Sequence, residues 1–286
     1  MSLSIVTNIA SLQTQRQLTV HTAALNKSFE RLSSGLRINS AADDAAGLAV
    51  ADSLRADARI ADVAIRNVGD GISLLSVADG ALNEVQNILT RMAEIAEISA
   101  NGTQTQVTRS ALSSEFVSLG SEVSRIARVT EFNDIKLLSS SSSVSFQVGL
   151  DSSANSQITF AGVQATLESL GLGDAGEALS VAVTGDTTDL AQSAATNALD
   201  AITSAIDTLA LERGNVGATE SRLTFALSNL QVLRENLTTA ESQIRDADIA
   251  LEAALLIRNQ ILRDASAAVL AQANQQPQVA LQLLTA

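Results

Sequence analysis

The chain has 286 residues, no cysteine, one histidine, one proline and a formal charge of −13. Disulfide and thiolate chemistry are excluded. So is a nucleic-acid partner, because 18 basic residues are scattered among 31 acidic ones instead of clustering to neutralise phosphates. Aromatic residues make up 2% of the chain and all are Phe, which leaves little large-ring packing for a globular core.

The elements follow in order. Near the start, Ile5, Ile9 and Leu12 give one helical stripe, and Leu18, Leu25, Phe29 and Leu32 give another shifted by one position. The adjacent Asp43 and Asp44 do not face each other as neighbours on a helix or turn, and suit helix capping better than acid–base or metal chemistry. Ala61, Val68, Leu75, Leu82, Leu89 and Ala96, flanked by Ile65 and Ile72, predict a long helix. A break at Asn101 and Gly102 precedes Leu112, Phe116, Leu119, Val123 and Ile126, whose 4-3 spacing predicts a helix folded back antiparallel on the first.

From Ser139 to about Thr188 the helical period lapses. A serine run, Ser139, Ser140, Ser141, Ser142 and Ser143, leads into strand-like pieces at Val144–Val148 and Gln157–Phe160, broken by Gly149, Gly162, Gly171 and Gly173. Small hairpins at one tip are expected.

A seven-residue row then runs through Ile202, Leu209, Val216, Leu223, Leu230, Leu237, Ile244 and Leu251. A single helix over it would be about 75 Å long, against about 50 Å for a compact ball of this chain length. The fold class expected is mainly α: an elongated antiparallel helical rod or coiled coil, with a small β-hairpin region near the middle of the chain. Charges at Arg213, Glu220, Arg234 and Glu241 interrupt the companion row, either as a solvated flank or as a register device.

The last segment carries Leu255, Leu256, Ile261, Leu262, Val269, Leu270, Val279, Leu281, Leu283 and Leu284. Interleaved with them are Gln272, Asn274, Gln275, Gln276, Gln278 and Gln282. Neither terminal segment has an obvious core of its own, so both are expected to gain order by association, which predicts a polymer. No stretch approaches the roughly 18 apolar residues of a membrane span, and the N-terminus lacks the basic-then-apolar order of a secretory signal. The lone His21 excludes a His-Glu-x-x-His zinc helix. No catalytic, cofactor or metal residues are expected.

Three segments carry a family resemblance: RLSSGLRINSAADDAAGLA from Arg31 to Ala49, SNLQVLRENLTTAESQIRDADIALE from Ser228 to Glu252, and NQILRDASAAVLAQANQQPQVALQLL from Asn259 to Leu284. The chain resembles bacterial flagellins over roughly residues 1–138 and 195–286. The resemblance implies a subunit that polymerises into the extracellular flagellar filament for motility. The alternative is a hook–filament junction protein with similar arms, and a secreted enzyme or signalling ligand is more remote.

The resemblance also implies a terminal coiled-coil assembly domain, D0, from residues 1–43 and 246–286. A rod domain, D1, would span 44–245 with 139–194 as its hairpin tip, and no large outer domains are expected. Ile5, Ile9, Leu12, Leu18, Leu25, Phe29 and Leu32 would assemble with Leu255, Ile261, Leu262, Val269, Leu270, Leu281 and Leu284, while Gln272, Gln275 and Gln282 would line a central export channel. The implied partners are further copies of the chain, the flagellar cap, hook–filament junction proteins, an export chaperone and the type III export apparatus, which needs no cleaved signal. A host Toll-like receptor for flagellin would meet Arg91, Ile95 and Glu115, and Ser139 to Ser143 would be either an O-glycosylated run or a plain loop. At Phe132-Asn133-Asp134-Ile135 the chain departs from the family, which often has glycine after the asparagine.

Overall fold

Asn8 opens the first helix, where its Oδ1 accepts from the Ser11 N–H at 3.0 Å and satisfies one of the donors a helix start leaves unpaired. This computed structural model describes residues 7–140, 143–174 and 178–285, with side chains as far as Pro277 at the C-terminal end. Ile5, Ser141 and Ser142 lie outside the described residues, as do the side chains of Leu281, Gln282 and Leu284.

Helix α1 (Ile9–Ser34) stops at Gly35, whose φ of 72° is the left-handed conformation a side chain resists. The other helices are α2 (Ala45–Ala100), α3 (Gln106–Val129), α4 (Thr188–Arg245) and α5 (Ile249–Thr285). Two antiparallel hairpins lie mid-chain, β1 (Glu131–Phe132) with β2 (Ile135–Lys136), and β3 (Val144–Gln147) with β4 (Gln157–Phe160). The mainly α class with small mid-chain hairpins is what the sequence pattern led to. By internal contacts the chain divides into two compact units, Met1–Ala58 with Glu235–Ala286, and Arg59–Arg234.

The second unit owes its core to the seven-residue rows. Val68, Leu75, Leu82 and Leu89 of α2, Phe116 and Val123 of α3, and Ile202, Leu209, Val216, Leu223 and Leu230 of α4 are buried in one cluster. Ala61 and Ala96 are buried too, whereas Ile65, Ile72, Leu112, Leu119 and Ile126 are half-buried. Leu137, Leu138, Phe146, Ile158 and Phe160 from the hairpin region belong to the same cluster. Gly71 allows this approach, since an added Cβ would stand 3.0 Å from the Phe146 ring and 3.2 Å from Leu223.

The β1–β2 turn uses two residues with positive φ, Asn133 at 50° and Asp134 at 63°. Asp134 therefore adopts the conformation that glycine supplies more readily, and the tight turn survives the departure from the family pattern.

Three of the four companion charges of α4, Arg213, Arg234 and Glu241, are paired inside the subunit. Arg213 meets Asp79 at 2.9 Å, Arg234 meets Asp62 at 3.2 Å and Glu241 meets Arg55 at 2.6 Å. All three partners lie on α2 and descend along it as the α4 number rises, so the pairs mark one antiparallel register.

The long row is not carried by a single helix. Arg245 ends α4, and Asp248 caps α5 by accepting from the Ala250 and Leu251 N–H groups at 2.9 and 3.1 Å. Asp246 accepts from Ser242 Oγ at 2.6 Å just before the break. A short acidic side chain at a helix start outcompetes continuation of the previous helix. Leu237 and Ile244 are half-buried, and Leu251, on the first turn of α5, is exposed.

Candidate assembly surface

In the first unit α1 and α5 pack against each other. The residues facing the seam alternate between apolar and polar. Leu18, Leu25 and Leu32 of α1 and Leu255, Leu262 and Leu270 of α5 are half-buried, and so are Ser11, His21, Asn259 and Ser266, while Ser28 is fully buried. Ser11 Oγ donates to Asn274 Oδ1 at 2.7 Å, and Asn259 Nδ2 to Ser28 Oγ at 3.4 Å. Arg31 lies 3.7 Å from the buried carboxylate of Glu252 on the first turn of α5, where a negative charge also suits the helix dipole.

Pro277 gives this pairing a specific anchor. Lacking an N–H, it leaves the Ala273 carbonyl without its usual donor four residues on. Asn8 Nδ2 fills the vacancy at 2.7 Å. One asparagine thus caps α1 with its oxygen and closes the gap in α5 with its nitrogen.

The larger apolar side chains point away from the seam. Phe29 is 67% exposed and Ile261 63%, and Ile9, Leu12, Leu251 and Ile257 are exposed as well. Gln272 and Gln275 are also exposed. An open groove between the two helices is lined by Gln13, Arg16, Gln17, His21, Leu262 and Val269. Burying apolar surface is worth about 25 cal/mol per Å². A helix pair that keeps serines and asparagines in its seam and leaves Phe and Ile in water has a strong drive to associate further.

The segment between α1 and α2 is tied down by main-chain and ionic contacts. Leu36 and Asp246 form an antiparallel bridge, the Arg37 N–H donates to the Arg245 carbonyl at 2.7 Å, and the Ala247 N–H donates to the Gly35 carbonyl at 2.9 Å. Asp44 Oδ1 caps α2 through the Gly47 N–H at 2.9 Å. Asp43 meets Lys27 Nζ at 2.7 Å and accepts from the Asn39 and Ser40 N–H groups at 3.2 and 3.1 Å. The Lys27 bond above all, then the two backbone donors, hold the Asp43 carboxyl well below its ordinary value.

A lowered carboxyl pKa stabilises the fold in full above the unfolded value near pH 4, and that contribution is lost as pH falls through the lower folded value. Asp43→Asn is therefore expected to destabilise the first unit at pH 7. In acid titrations followed by circular dichroism, the gap to the unsubstituted protein should close as pH drops below about 4. A gap independent of pH would contradict this role.

Comparison with known proteins identifies the family of the chain. The family model described as the bacterial flagellin N-terminal helical region matches residues 5–143, and that of the bacterial flagellin C-terminal helical region matches residues 199–284. A curated flagellin of Halalkalibacterium halodurans is 42% identical over 278 residues, covering 97% of this chain and 98% of the relative. This chain belongs to the bacterial flagellin family. A Bacillus subtilis flagellin is 38% identical over 300 residues, with 97% of this chain and 98% of that one covered. A crystal structure of Bacillus cereus flagellin aligns with a TM-score of 0.47 at 27% identity, covering 58% of this chain and 88% of that one. With the Vibrio parahaemolyticus polar flagellin F the alignment, at 32% identity, runs over 376 positions, more than this chain possesses. This is a short flagellin.

Other singled-out residues of this flagellin lie in the second unit. Arg91 Nε and Nη2 donate to Glu115 Oε1 at 3.0 and 2.8 Å, joining α2 to α3 on the surface, but Ile95 is 0% exposed within the core. Ser139 and Ser140 are half-buried and Ser143 is exposed.

Arg109 escaped the sequence reading. It is 1% exposed, and its guanidinium donates to the Asn101 carbonyl at 3.0 Å and to the Thr188 carbonyl at 3.2 Å. An arginine ahead of an apolar run reads as a solvated helix start. Its only sequence signal is its position beside the Asn101-Gly102 break.

Proposed function

We infer that this flagellin is the structural subunit of the extracellular flagellar filament, assembling with copies of itself for motility. The observation that carries the reading is the divided chemistry of the α1–α5 pair, whose seam mixes leucines with polar groups while Phe29, Ile261 and other large apolar side chains stay outside it. Copies of the same chain cover that surface, and hydrophobic burial drives the addition of each subunit. A hook–filament junction role is not favoured, since near-full-length relatives are flagellins.

Within this reading the terminal segments 1–43 and 246–286 act as the D0 assembly domain and residues 44–245 as the D1 rod. Gln272 and Gln275 present amides to the export channel, a polar wall to which an unfolded passing chain adheres weakly. The subunit leaves through the type III export apparatus with its chaperone, without a cleaved signal, and adds beneath the cap above the junction proteins. Among the described residues no helix is long and apolar enough to cross a membrane. A Toll-like receptor docking on this face would find Arg91 and Glu115 but not Ile95, which is enclosed.

Electron microscopy of the purified chain in polymerising salt is the test. Long helical filaments are expected from the unsubstituted protein, and few or none from the double substitution Phe29→Ser, Ile261→Ser. Monomers alone from the unsubstituted protein would overturn the reading.

A further inference from the structure

The half-buried leucines of the α1–α5 seam repeat at one interval. Leu18, Leu25 and Leu32 are seven residues apart on α1, and so are Leu255 and Leu262 on α5. Sliding one helix along the other by seven residues sets leucine against leucine again, so apolar burial alone leaves more than one register close in energy. The register matters for the surface that subunits meet. Phe29 stands on one helix and Ile261 on the other, and a slip of seven residues carries one past the other by about 10 Å.

Polar contacts are what distinguish the registers, and they differ in quality. Ser11 and Asn274 meet in an exposed position, Ser28 and Asn259 are 3.4 Å apart, and Arg31 and Glu252, at 3.7 Å, form a loose ion pair. The Asn8 contact is of another kind. A carbonyl inside a regular helix is already taken by the N–H four residues on, and offers an incoming side chain little. Pro277 is the only proline of the chain, so Ala273 alone has its carbonyl released by a proline. Ala273 is also buried, at 6% exposed, where an acceptor without a donor is costly. Asn8 Nδ2 reaches that acceptor at 2.7 Å.

After a slip of seven residues the same amide would face a helix carbonyl that is already bonded, and the Ala273 carbonyl would be left empty. A single polar contact of this sort sets register in coiled coils, at some cost in stability.

We propose that Asn8 and Pro277 form a register lock for the α1–α5 pair. The proline frees one carbonyl, the asparagine finds it, and every subunit thereby presents Phe29 and Ile261 in the same relative position to a second copy of the chain. This rests on the filament reading and adds to it the residue pair that makes the assembly surface uniform.

The test uses the full-length chain with Asn8→Ser, Pro277→Ala and the two together. Serine still caps α1 but is too short to reach the Ala273 carbonyl, and alanine returns the missing N–H to that carbonyl. Asn8→Ser alone should raise the subunit concentration needed for growth from filament seeds by about tenfold, and in the Pro277→Ala background by less than about twofold. Register is read with a short thiol cross-linker, for which a chain without cysteine gives no background. Ser28→Cys with Asn259→Cys reports the native register, and Ser28→Cys with Ser266→Cys the slipped one. The slipped product should be absent when Asn8 and Pro277 are both present and should form when either is replaced, even by Pro277→Ala, which makes α5 the better helix. An equal loss of growth from Asn8→Ser in both backgrounds would reduce Asn8 to a helix cap and overturn the proposal, and so would cross-linking confined to the native pair in every variant. Failure of the unsubstituted protein to polymerise would remove the filament reading instead, and cross-linking of the soluble chain would then decide the lock by itself.

Discussion

Replacing Phe116 with alanine is expected to cost about 3–5 kcal/mol of stability in the second unit. Phe116 is buried on α3, in the cluster that α2, α3, α4 and the hairpin region build together. Interiors packed at crystal-like density relax only partly around a missing ring, so a cavity cost adds to the lost transfer free energy. Against a typical domain stability of 5–15 kcal/mol that is a large fraction, and for a unit of this size it lowers the melting temperature by roughly 10 °C. Thermal and urea unfolding followed by circular dichroism would measure it. A loss below about 1 kcal/mol would mean that the neighbouring side chains close the gap, contrary to the packing described.

Arg109→Ala should be nearly as damaging, at about 3 kcal/mol. The guanidinium fork joins the turn after α2 to the first residue of α4, and hydrogen bonds from a charged donor are worth about 1.5–3 kcal/mol each. Its Nε finds no hydrogen-bond partner among the described residues, so part of that gain is offset by an unsatisfied buried donor. Two substitutions separate the contributions. Arg109→Met keeps the apolar stem and should recover the packing share alone. Arg109→Lys brings a single ammonium where a planar fork spans two carbonyls, and should recover less than half of the hydrogen-bonding share. The same unfolding measurements decide it, and a neutral Arg109→Ala would show that the two carbonyls find water instead.

The rows from Val68 to Leu89 and from Ile202 to Leu230 were legible because large aliphatic residues repeat at one fixed interval, and only a helix keeps them on one side. The start of α2 was not. From Ala45 to Ala58 the helix is rich in small residues, and alanine serves a buried and an exposed face equally well. At the termini the apolar stripes were visible, but not their division. Leu18, Leu25 and Leu32 turn toward α5 while Ile9, Leu12 and Phe29 turn away, because Ser11 and Ser28 occupy the seam with hydrogen-bonding partners supplied by the other helix. Small polar residues in a helix ordinarily read as a wet face, and their partners are more than 200 residues distant. The interruption after Arg245 was masked for a different reason. Leu251 keeps the seven-residue count although Asp246 and Asp248 have already ended one helix and started another.

That interruption has a mechanical consequence for a filament under load. A continuous helix resists bending through its unbroken ladder of backbone hydrogen bonds, but between Arg245 and Ile249 the ladder stops. Stiffness there falls to the crosswise ties, the Leu36–Asp246 bridge, Arg37 on Arg245 and Ala247 on Gly35. These ties run between two strands of chain instead of along one, so under a bending load they are expected to yield before the helices do. Every subunit thus carries a compliant element of a few hydrogen bonds beside long helices that are much harder to bend.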